Sequence, residues 1–433
     1  MSRGLAQRSR GLGLAPGLLL LAPAAQASVF DTYGFGARAA AMANAHAAAS
    51  DDYTAVYYNP GALTVHKAPQ TGVGLQVIAP SLHIDAHGPG LSPVEPDANV
   101  GVHLGLLFPL GGLIQNRFAL GAGLYLPTIQ VTRVESFDPT TPHFYRYGAL
   151  PDKINVVLGA AFELHETVSI GLGYQYLGRL DGDAEVEVDV LTRRFTRKDV
   201  AVDIRGVGGL TAGLHLRPTP RLAVGLSYRE ALSIEYDIAV NLLLKDVGRL
   251  VAQIDGIALY TPAQYTLGVA WRGDDVTLTA DLVWSRWSEA PDPAPGFDVT
   301  LDGEPIHLDP IQADAAPVDL AAVDTWSPRL GVEWAPTEAT RLRGGWGLLP
   351  TPLPAQTGYA SYADGDAHLF GLGVGYRFAD PLEVHQSPIT LDLTGQLTWM
   401  PTREHAKQPD DAGADFASGG HVWHLALTFR HDF

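Results

Sequence analysis

The 433-residue sequence contains no cysteine, which excludes a disulfide framework and a cysteine-ligated metal site. It also lacks an apolar run long enough for a membrane-spanning helix, which needs about 20 residues. Basic residues are scarce: 29 Lys and Arg stand against 47 Asp and Glu, and the net charge is −18. Such an acidic chain is a poor candidate for binding nucleic acid, because that binding depends on basic side chains that neutralise phosphates.

The N-terminus has the composition of a secretory signal peptide. Arg3, Arg8 and Arg10 precede a short apolar run, and Ala25-Gln26-Ala27 has the small-x-small pattern of a cleavage site. We therefore predict that residues 1–27 are a signal peptide and that the mature chain begins at Ser28. The alternative, a membrane anchor, would need a longer apolar stretch.

From residue 70 onward, apolar and polar residues alternate in segments bounded by turn residues. In the segment 276–287, Leu278 and Leu282 fall on one face, and Thr279 and Asp281 on the other. We count fourteen such segments, near 70–86, 98–109, 116–132, 152–165, 167–183, 202–217, 219–230, 261–272, 275–287, 324–336, 339–349, 365–378, 387–400 and 419–433. An apolar face opposite a polar face is what a lipid-facing wall around a polar lumen requires.

The connections between these segments alternate between short turns and long loops, which is typical of an outer-membrane barrel. A soluble β-sandwich, the alternative, has no reason to place every long loop at one end. Aromatic residues near the segment ends suit interfacial girdles; they are Tyr228, Trp271, Trp284, Trp287, Trp334, Tyr376, Phe378, Trp399 and Trp423. We predict an all-β fold, a transmembrane antiparallel β-barrel of about 14 strands spanning residues 68–433.

Residues 28–67, here called the hatch, are rich in alanine and lack strand alternation. A short non-strand segment that precedes a barrel with a lumen can lie inside that lumen. We therefore predict that the hatch is a plug.

Two of the long loops have a distinctive composition. The 288–323 loop holds eight acidic residues and no Lys or Arg, which leaves open a calcium site or a merely solvated acidic loop. The segment Val240 to Val251 is apolar enough for a short helix at the barrel mouth. That helix would either give a hydrophobic ligand a first docking surface or simply pack.

Several stretches resemble the FadL/TodX-type outer-membrane transporters of hydrophobic compounds. They are GFGARAAAMANAHAAASDDYTAVYYNPGAL in the hatch, FALGAGLYLP (118–127), YTLGVAWR (265–272), LTADLVWSRWS (278–288), WSPRLGVEWAP (326–336), LRGGWGLLPTPLP (342–354) and HLFGLGVGYRF (368–378). The resemblance implies a monomeric fourteen-stranded barrel in the outer membrane, surrounded by lipid and lipopolysaccharide. It also implies that long-chain fatty acids, or aromatic hydrocarbons, pass from an external groove to an internal pocket. They then leave through a lateral opening beside a kink in the third strand.

The resemblance assigns roles to individual residues. Asn59, Pro60 and Gly61 match the hatch motif, with Gly61 where alanine is usual. Phe30 matches an aromatic residue near the internal pocket, and Pro127 ends the third-strand block, where a residue that cannot donate to the ladder is a candidate for perturbing pairing near the exit. The remaining residues of the hatch pattern are Gly36, Arg38, Asp51 and Asp52.

Alternation places a set of polar side chains in the lumen: Arg205, Asp281, Arg329, Glu333, Arg343, Asp392 and Gln396. Arg329 or Arg343 could bind a ligand carboxylate by charge-assisted hydrogen bonds. Alternatively, they pair with lumen acids or with the hatch acids Asp51 and Asp52 and so hold the plug.

Three functions are compatible with these patterns: passive uptake of hydrophobic small molecules, an outer-membrane lipid hydrolase, and a structural or adhesive barrel. A hydrolase needs a nucleophile and a base in one place, and the sequence contains no nucleophile motif. We predict an uptake channel that is not an enzyme and uses no cofactor or metal, with fatty acids as ligands and hydrocarbons as the alternative.

Overall fold

A computed structural model describes residues 29–86, 93–111, 116–129, 139–148, 152–189, 194–244, 248–294, 296–302, 311–312, 318–381, 387–409 and 414–433. The predicted signal peptide lies outside the described residues, so its cleavage stays a prediction.

Fourteen strands form a closed antiparallel barrel, as predicted. Each strand pairs with the next around the barrel, and β1 pairs with both the second and the last strand, which closes the sheet. The barrel strands are β1 (Gln70–Ala86), β2 (Asn99–Leu110), β3 (Phe118–Pro127), β5 (Asn155–His165), β6 (Val168–Asp189), β7 (Arg194–Thr219), β8 (Leu222–Arg229), β11 (Gln264–Arg272), β12 (Val276–Ser285), β15 (Thr325–Trp334), β16 (Thr340–Leu349), β18 (Ala367–Phe378), β19 (Ile389–His405) and β20 (Phe416–Asp432).

The alternation seen in the sequence sets which face of each strand lies outside. In β12, Leu278 is 49% exposed, whereas Asp281 is 5% exposed inside the barrel. Trp284 on this outer surface stacks on Trp326 of β15, with ring centroids 5.7 Å apart. Trp287 differs from the prediction of an interfacial girdle, because its side chain is buried among the loops beside Tyr145 and Tyr260.

The predicted helix at 240–251 is wrong. Strand β9 (Leu232–Leu244) and strand β10 (Gly248–Thr261) form a hairpin there, and β9 also pairs in parallel with the outer part of β6. The run of apolar residues in 240–251 suggested a helix, whereas the period-two alternation of β9 is clearest before this stretch, where Leu232, Ile234 and Tyr236 are buried at every second position. The hairpin extends outward from the barrel at the end that carries the long loops.

Two short strands from the acidic loop add to this hairpin. Strand β13 (Gly296–Asp302) pairs with β10, and β14 (Ile311–Gln312) pairs with β13. Elsewhere at the same end, β4 (His143–Phe144) and β17 (Tyr362–Ala363) form a small parallel pair. Among the described residues, no helix is long and apolar enough to cross a membrane.

The hatch contains three short helices, α1 (Val29–Tyr33), α2 (Ala37–Ala41) and α3 (Ala55–Tyr58), and a 3-10 helix over Pro60–Thr64. All residues from 39 to 50 are buried inside the barrel. The wall carries glycine where it meets the hatch: a Cβ added to Gly371 would lie 2.5 Å from the carbonyl oxygen of Ala41, and one added to Gly345 would lie 2.3 Å from the backbone of Met42. Glycine in these strands therefore leaves the space that the hatch backbone occupies.

Candidate functional site

Ion pairs fasten the hatch to the wall near the end with the short turns. Arg38 of α2 binds Glu333 of β15 through two hydrogen bonds of 3.0 and 3.1 Å, and it also contacts Asp51 and Asp52. Arg430 of β20 binds Asp52 at 2.5 Å. Burial alone would raise the pKa of Asp52, but Arg430 and Arg38 hold it well below its usual range. The hatch acids are therefore ionised and bind the arginines as carboxylates.

Arg343, a predicted ligand-binding residue, lies in the same network. Its Nε is 2.6 Å from Glu333, and its Nη1 is 2.6 Å from Asp392. A polar cavity of about 540 Å³ adjoins the network and is lined by Arg38, Glu333 and Arg343 among other charged residues. This surrounding is better suited to water and ions than to an apolar molecule, and the ligand-binding role of Arg343 stays a prediction.

The hatch motif fixes one turn of the plug against the wall. The side-chain oxygen of Asn59 accepts a hydrogen bond from the Gly61 amide at 3.0 Å. Its amide group donates to the carbonyl oxygens of Ala47 and Leu214, at 2.9 and 3.1 Å. A Cβ on Gly61 would lie 2.8 Å from the carbonyl oxygen of Gly213 in β7, which accounts for glycine at the position where the resemblance implies alanine.

Two further predicted residues hold the hatch backbone. Gly36 begins α2 with φ +86°, a conformation that favours glycine. Asp281 of the wall accepts hydrogen bonds of 2.8 Å from the backbone amides of His46 and Ala47. The side chain of Arg205 lies outside the described residues.

On the other side of the hatch, toward the long loops, the lumen is apolar. Phe30 is fully buried, and its ring centroid lies 4.7 Å from Phe35, 4.9 Å from Tyr57 and 6.0 Å from Tyr125. Wall and hairpin residues extend this cluster: Ile78, Leu82, Ile84, Val157, Leu177, Leu232, Ile234, Tyr236, Leu259 and Leu349. The sequence-predicted pocket residue therefore lies at the centre of a large apolar cluster, and its contact with a ligand stays a prediction.

Charged groups border the apolar cluster. Asp31 of α1 accepts hydrogen bonds of 2.5 Å from Arg229 of β8 and from the hydroxyl of Tyr57. Arg329 of β15, a predicted ligand-binding residue, donates to the backbone carbonyl of Asp31 at 3.4 Å. Burial raises the pKa of Tyr57 well above 10, against the opposing effect of Arg229, so its hydroxyl remains a donor.

Sequence reasoning missed two cations that face the lumen, the partly buried Arg229 and the buried Lys153. Arg229 follows Tyr228, which was assigned to the outer surface, so alternation alone would have placed Arg229 inside. Lys153, which is 2% exposed, falls at the start of the predicted segment 152–165, but the strand itself begins only at Asn155, so alternation did not assign its side chain to the lumen. Its neighbour Asp152 accepts a hydrogen bond from Asn99 at 2.5 Å.

Pro127 is the last residue of β3. It lies opposite Gly101 of β2, and pairing between β3 and β5 already ends at Tyr125. Along the described residues, β3 pairs with β2 without a register shift. A lateral exit at this position stays a prediction.

One serine and one histidine invite comparison with a hydrolase. Ser418 Oγ lies 3.4 Å from His405 Nε2. His405 Nδ1 accepts a hydrogen bond from the backbone amide of Gln356 at 3.0 Å, so the neutral ring carries its proton on Nε2. Nε2 then faces the serine as a donor and cannot take the serine proton.

The acidic loop is partly described. Asp292 accepts hydrogen bonds from the backbone amides of Ala294 and Val318, so its carboxylate orders the loop backbone. Among the residues that the structure describes, no group of three His, Cys, Asp or Glu is placed to hold a metal ion. Three of the acids, Glu304, Asp309 and Asp314, lie outside the described residues, and a calcium site in this loop stays an open prediction.

Comparison with known proteins agrees with this architecture. The family model described as outer membrane protein transport protein (OMPP1/FadL/TodX) matches residues 18–433. No curated protein sequence matches the chain. The crystal structure of a FadL homologue from Pseudomonas aeruginosa is 16% identical with a TM-score of 0.60, and the match covers 95% of this chain and 99% of that one.

Two toluene transporters have similar structures. TodX of Pseudomonas putida is 16% identical with a TM-score of 0.56, and the match covers 93% of this chain and 99% of that one. TbuX of Ralstonia pickettii is 17% identical with a TM-score of 0.51, with 94% and 100% covered. At these identities the likeness concerns the fold, whereas the family model spans nearly the whole chain. The chain therefore belongs to the OMPP1/FadL/TodX family and is an outer-membrane transporter of hydrophobic compounds.

Proposed function

We propose that the protein mediates passive uptake of long-chain fatty acids through an internal apolar pocket centred on Phe30. One observation carries the proposal: the buried apolar cluster is bordered by two wall arginines, Arg229 and Arg329. A fatty acid needs both parts. Burying each methylene group contributes about 0.8 kcal/mol, and a carboxylate removed from water needs a cation beside it.

The path is proposed to leave the lumen sideways, near Pro127, rather than straight through the hatch. Moving α2 and the residues after it toward the short turns would break the ion pairs of Arg38 with Glu333 and of Arg430 with Asp52. Removing one partner of a buried ion pair costs about 3 to 5 kcal/mol, and moving the hatch would likewise leave these charges without their partners. The ion pairs therefore favour a route that leaves most of the hatch in place.

Uptake of an aromatic hydrocarbon is the second candidate. Phe30 packs edge-to-face against Tyr57 and Tyr125 and in a tilted arrangement against Phe35, and an aromatic ligand could join such a cluster of rings. Two of the similar structures are toluene transporters. Toluene has no charge, however, and would make no use of Arg229 and Arg329.

Uptake of radiolabelled oleate and of toluene distinguishes these candidates. The assay uses cells that lack their own transporter and express the chain, with empty-vector cells as the control. Faster uptake of oleate supports the fatty-acid proposal. Faster uptake of toluene alone would indicate that the substrates are hydrocarbons. If neither enters faster although the barrel is assembled in the outer membrane, the proposal is wrong and a structural or adhesive role is favoured.

A further inference from the structure

Inside the lumen, Arg229 and Tyr57 together bind the carboxylate of Asp31, and these two residues are here called the cradle. Arg229 Nη1 and the Tyr57 hydroxyl each lie 2.5 Å from the same carboxylate oxygen. The guanidinium of Arg229 is also stacked over the Tyr57 ring, 4.0 Å from its centroid. A cation and a phenol that converge on one oxygen form a site for a carboxylate, whichever molecule supplies it.

The residues before Asp31 are apolar and buried. Val29 is 2% exposed, and Phe30 is fully buried against Phe35, Tyr57 and Tyr125. The segment Val29–Asp31 therefore presents an apolar body followed by a carboxylate. A long-chain fatty acid presents the same two parts to its surroundings.

Beside the cradle, Arg329 has a buried hydrogen-bond donor that no described residue uses. The side chain of Arg329 is buried, and its Nη2 is 3.4 Å from the Asp31 carbonyl oxygen. Its Nε is buried and has no hydrogen-bond partner within the described part of the chain. A buried guanidinium nitrogen without a partner is costly, and a ligand carboxylate, which accepts several hydrogen bonds, could satisfy it.

The link between α1 and α2 contains two glycines in a conformation that favours glycine. Gly34 and Gly36 both have positive φ, at +91° and +86°. Glycine loses little when such angles change, because it has no Cβ. The amide of Phe35 donates to the Tyr58 hydroxyl at 2.9 Å, and Arg38 is fastened to Glu333. A rotation at Gly34 would therefore displace α1 and leave the rest of the hatch in place.

We propose that the segment Val29–Asp31 is an internal mimic of a fatty acid, and that an incoming fatty acid displaces it. The ligand carboxylate replaces that of Asp31 on Arg229 and Tyr57, and its acyl chain replaces Val29 and Phe30 in the apolar cluster. This proposal rests on the proposed function. A neutral hydrocarbon can enter the apolar cluster but does not compete for the cradle, so release of α1 is specific for carboxylates.

Binding of oleate and of its uncharged methyl ester tests the competition. Purified protein is immobilised and titrated in a single detergent, so that partitioning into micelles is common to all variants. Asp31→Asn weakens the internal competitor, and we expect oleate to bind about tenfold tighter, the equivalent of one charge-assisted hydrogen bond. Methyl oleate should bind Asp31→Asn and the native chain equally. Arg229→Gln should weaken oleate binding and spare methyl oleate.

Asp364→Asn is the matched control. It also removes a buried carboxylate from an arginine, since Asp364 Oδ1 accepts a hydrogen bond of 3.0 Å from Arg146, whereas Arg229 and Tyr57 bind Asp31. Oleate affinity should be unchanged. If Asp31→Asn binds oleate like the native chain, or improves both ligands equally, the mimic is overturned while the proposed function stands. If the native chain binds neither ligand, both are overturned.

A second measurement follows α1 directly and does not depend on altering the cradle. The chain has no cysteine, so Val29→Cys provides a single labelling site that is buried at rest. We expect oleate to accelerate maleimide labelling of this site, and methyl oleate to leave the rate unchanged. Equal acceleration by both ligands, or by neither although oleate binds, overturns the mimic.

Discussion

Arg38 of the hatch and Glu333 of β15 form a bidentate ion pair, with Nε 3.0 Å from Oε2 and Nη2 3.1 Å from Oε1. The two residues are 295 positions apart in the chain. Arg343 holds the same carboxylate at 2.6 Å from the other side. Glu333 is therefore the point at which the plug is fastened to the wall.

Glu333→Gln should loosen the hatch while leaving the barrel closed. Removing one partner of a buried ion pair costs on the order of 3 kcal/mol. Arg343 of the wall also loses this partner but keeps Asp392, whereas Arg38 loses its bidentate bond to the wall. A cysteine at Ala45, which is fully buried in the hatch, reports on it. We expect its labelling by a water-soluble maleimide to accelerate at least about tenfold.

Arg221→Ala is the control for this experiment. Arg221 pairs with Asp274 at 2.8 Å, but the two side chains are 59% and 86% exposed, and such pairs contribute little. Equal labelling rates in the two variants would contradict the fastening role of Glu333.

Gly61→Ala should destabilise the contact between the hatch and β7, although the resemblance implies alanine at this position. The added methyl group would lie 2.8 Å from the carbonyl oxygen of Gly213, a backbone atom that cannot move alone. We expect the variant to lose the electrophoretic mobility of the folded barrel at a lower temperature than the native chain. We also expect faster maleimide labelling of a cysteine placed at Ala45. Gly395→Ala is the matched control, because the nearest atom to its added methyl is a leucine carbon 3.7 Å away. Equal unfolding temperatures and labelling rates of the two variants would show that a methyl group fits at position 61.

Asn59 should be required for its amide group as well as for its oxygen. Asn59→Asp keeps the acceptor for the Gly61 amide but loses the donor to Ala47 and Leu214, and it places a charge against two carbonyl oxygens. We expect it to destabilise the hatch by on the order of 2 kcal/mol, no less than Asn59→Ala does. Thermal unfolding of the three proteins at pH 7.5 measures this. Native-like stability of Asn59→Asp would mean that only the hydrogen bond accepted from the Gly61 amide contributes.

His46 should make the hatch sensitive to acid between about pH 6.5 and pH 4. Burial, with a contribution from Arg38, lowers the pKa of His46 to about 4, so the folded hatch keeps the ring neutral while an unfolded chain protonates it. The resulting stability is present above pH 6.5 and is lost as the pH falls to about 4, on the order of 3 kcal/mol in total. The hatch acids Asp51 and Asp52 have lowered pKa values and contribute their loss at lower pH.

His46→Phe isolates this effect. Neither ring nitrogen of His46 has a partner among the described residues, and the ring packs against Tyr58. We expect the variant to match the native chain at pH 7.5 and to lose less thermal stability at pH 4.5. Parallel pH profiles of the two proteins would exclude His46 as the cause.

The barrel strands could be predicted from the sequence because the pattern that specifies them lies in neighbouring residues. Alternation along a strand fixes which face is outside, so Leu278 and Asp281 were assigned correctly from neighbouring letters. The hairpin of β9 and β10 was missed because its apolar content suggested a helix. Strand period and helix period are hard to distinguish in a short apolar run.

The partners across the lumen could not be predicted, because nothing in the spacing of a sequence encodes which wall residue meets the hatch. Asp52 was expected to bind a lumen arginine, but Arg430, which holds it, was not identified although alternation in β20 places it inside. Asp31 was overlooked because it lies in a short helix without periodicity. Its importance appears only when Arg229 and Tyr57 are seen to converge on it.

The most direct test of the central claim is to map where a fatty acid resides in the protein. A diazirine analogue of a long-chain fatty acid would be photo-crosslinked to the purified chain, with and without excess oleate, and the modified peptides identified by mass spectrometry. The account predicts oleate-sensitive labelling of inward residues of the apolar cluster, such as Phe30, Tyr125 and Leu177. Labelling confined to outward residues such as Leu278 and Leu282, unchanged by oleate, would contradict an internal pocket.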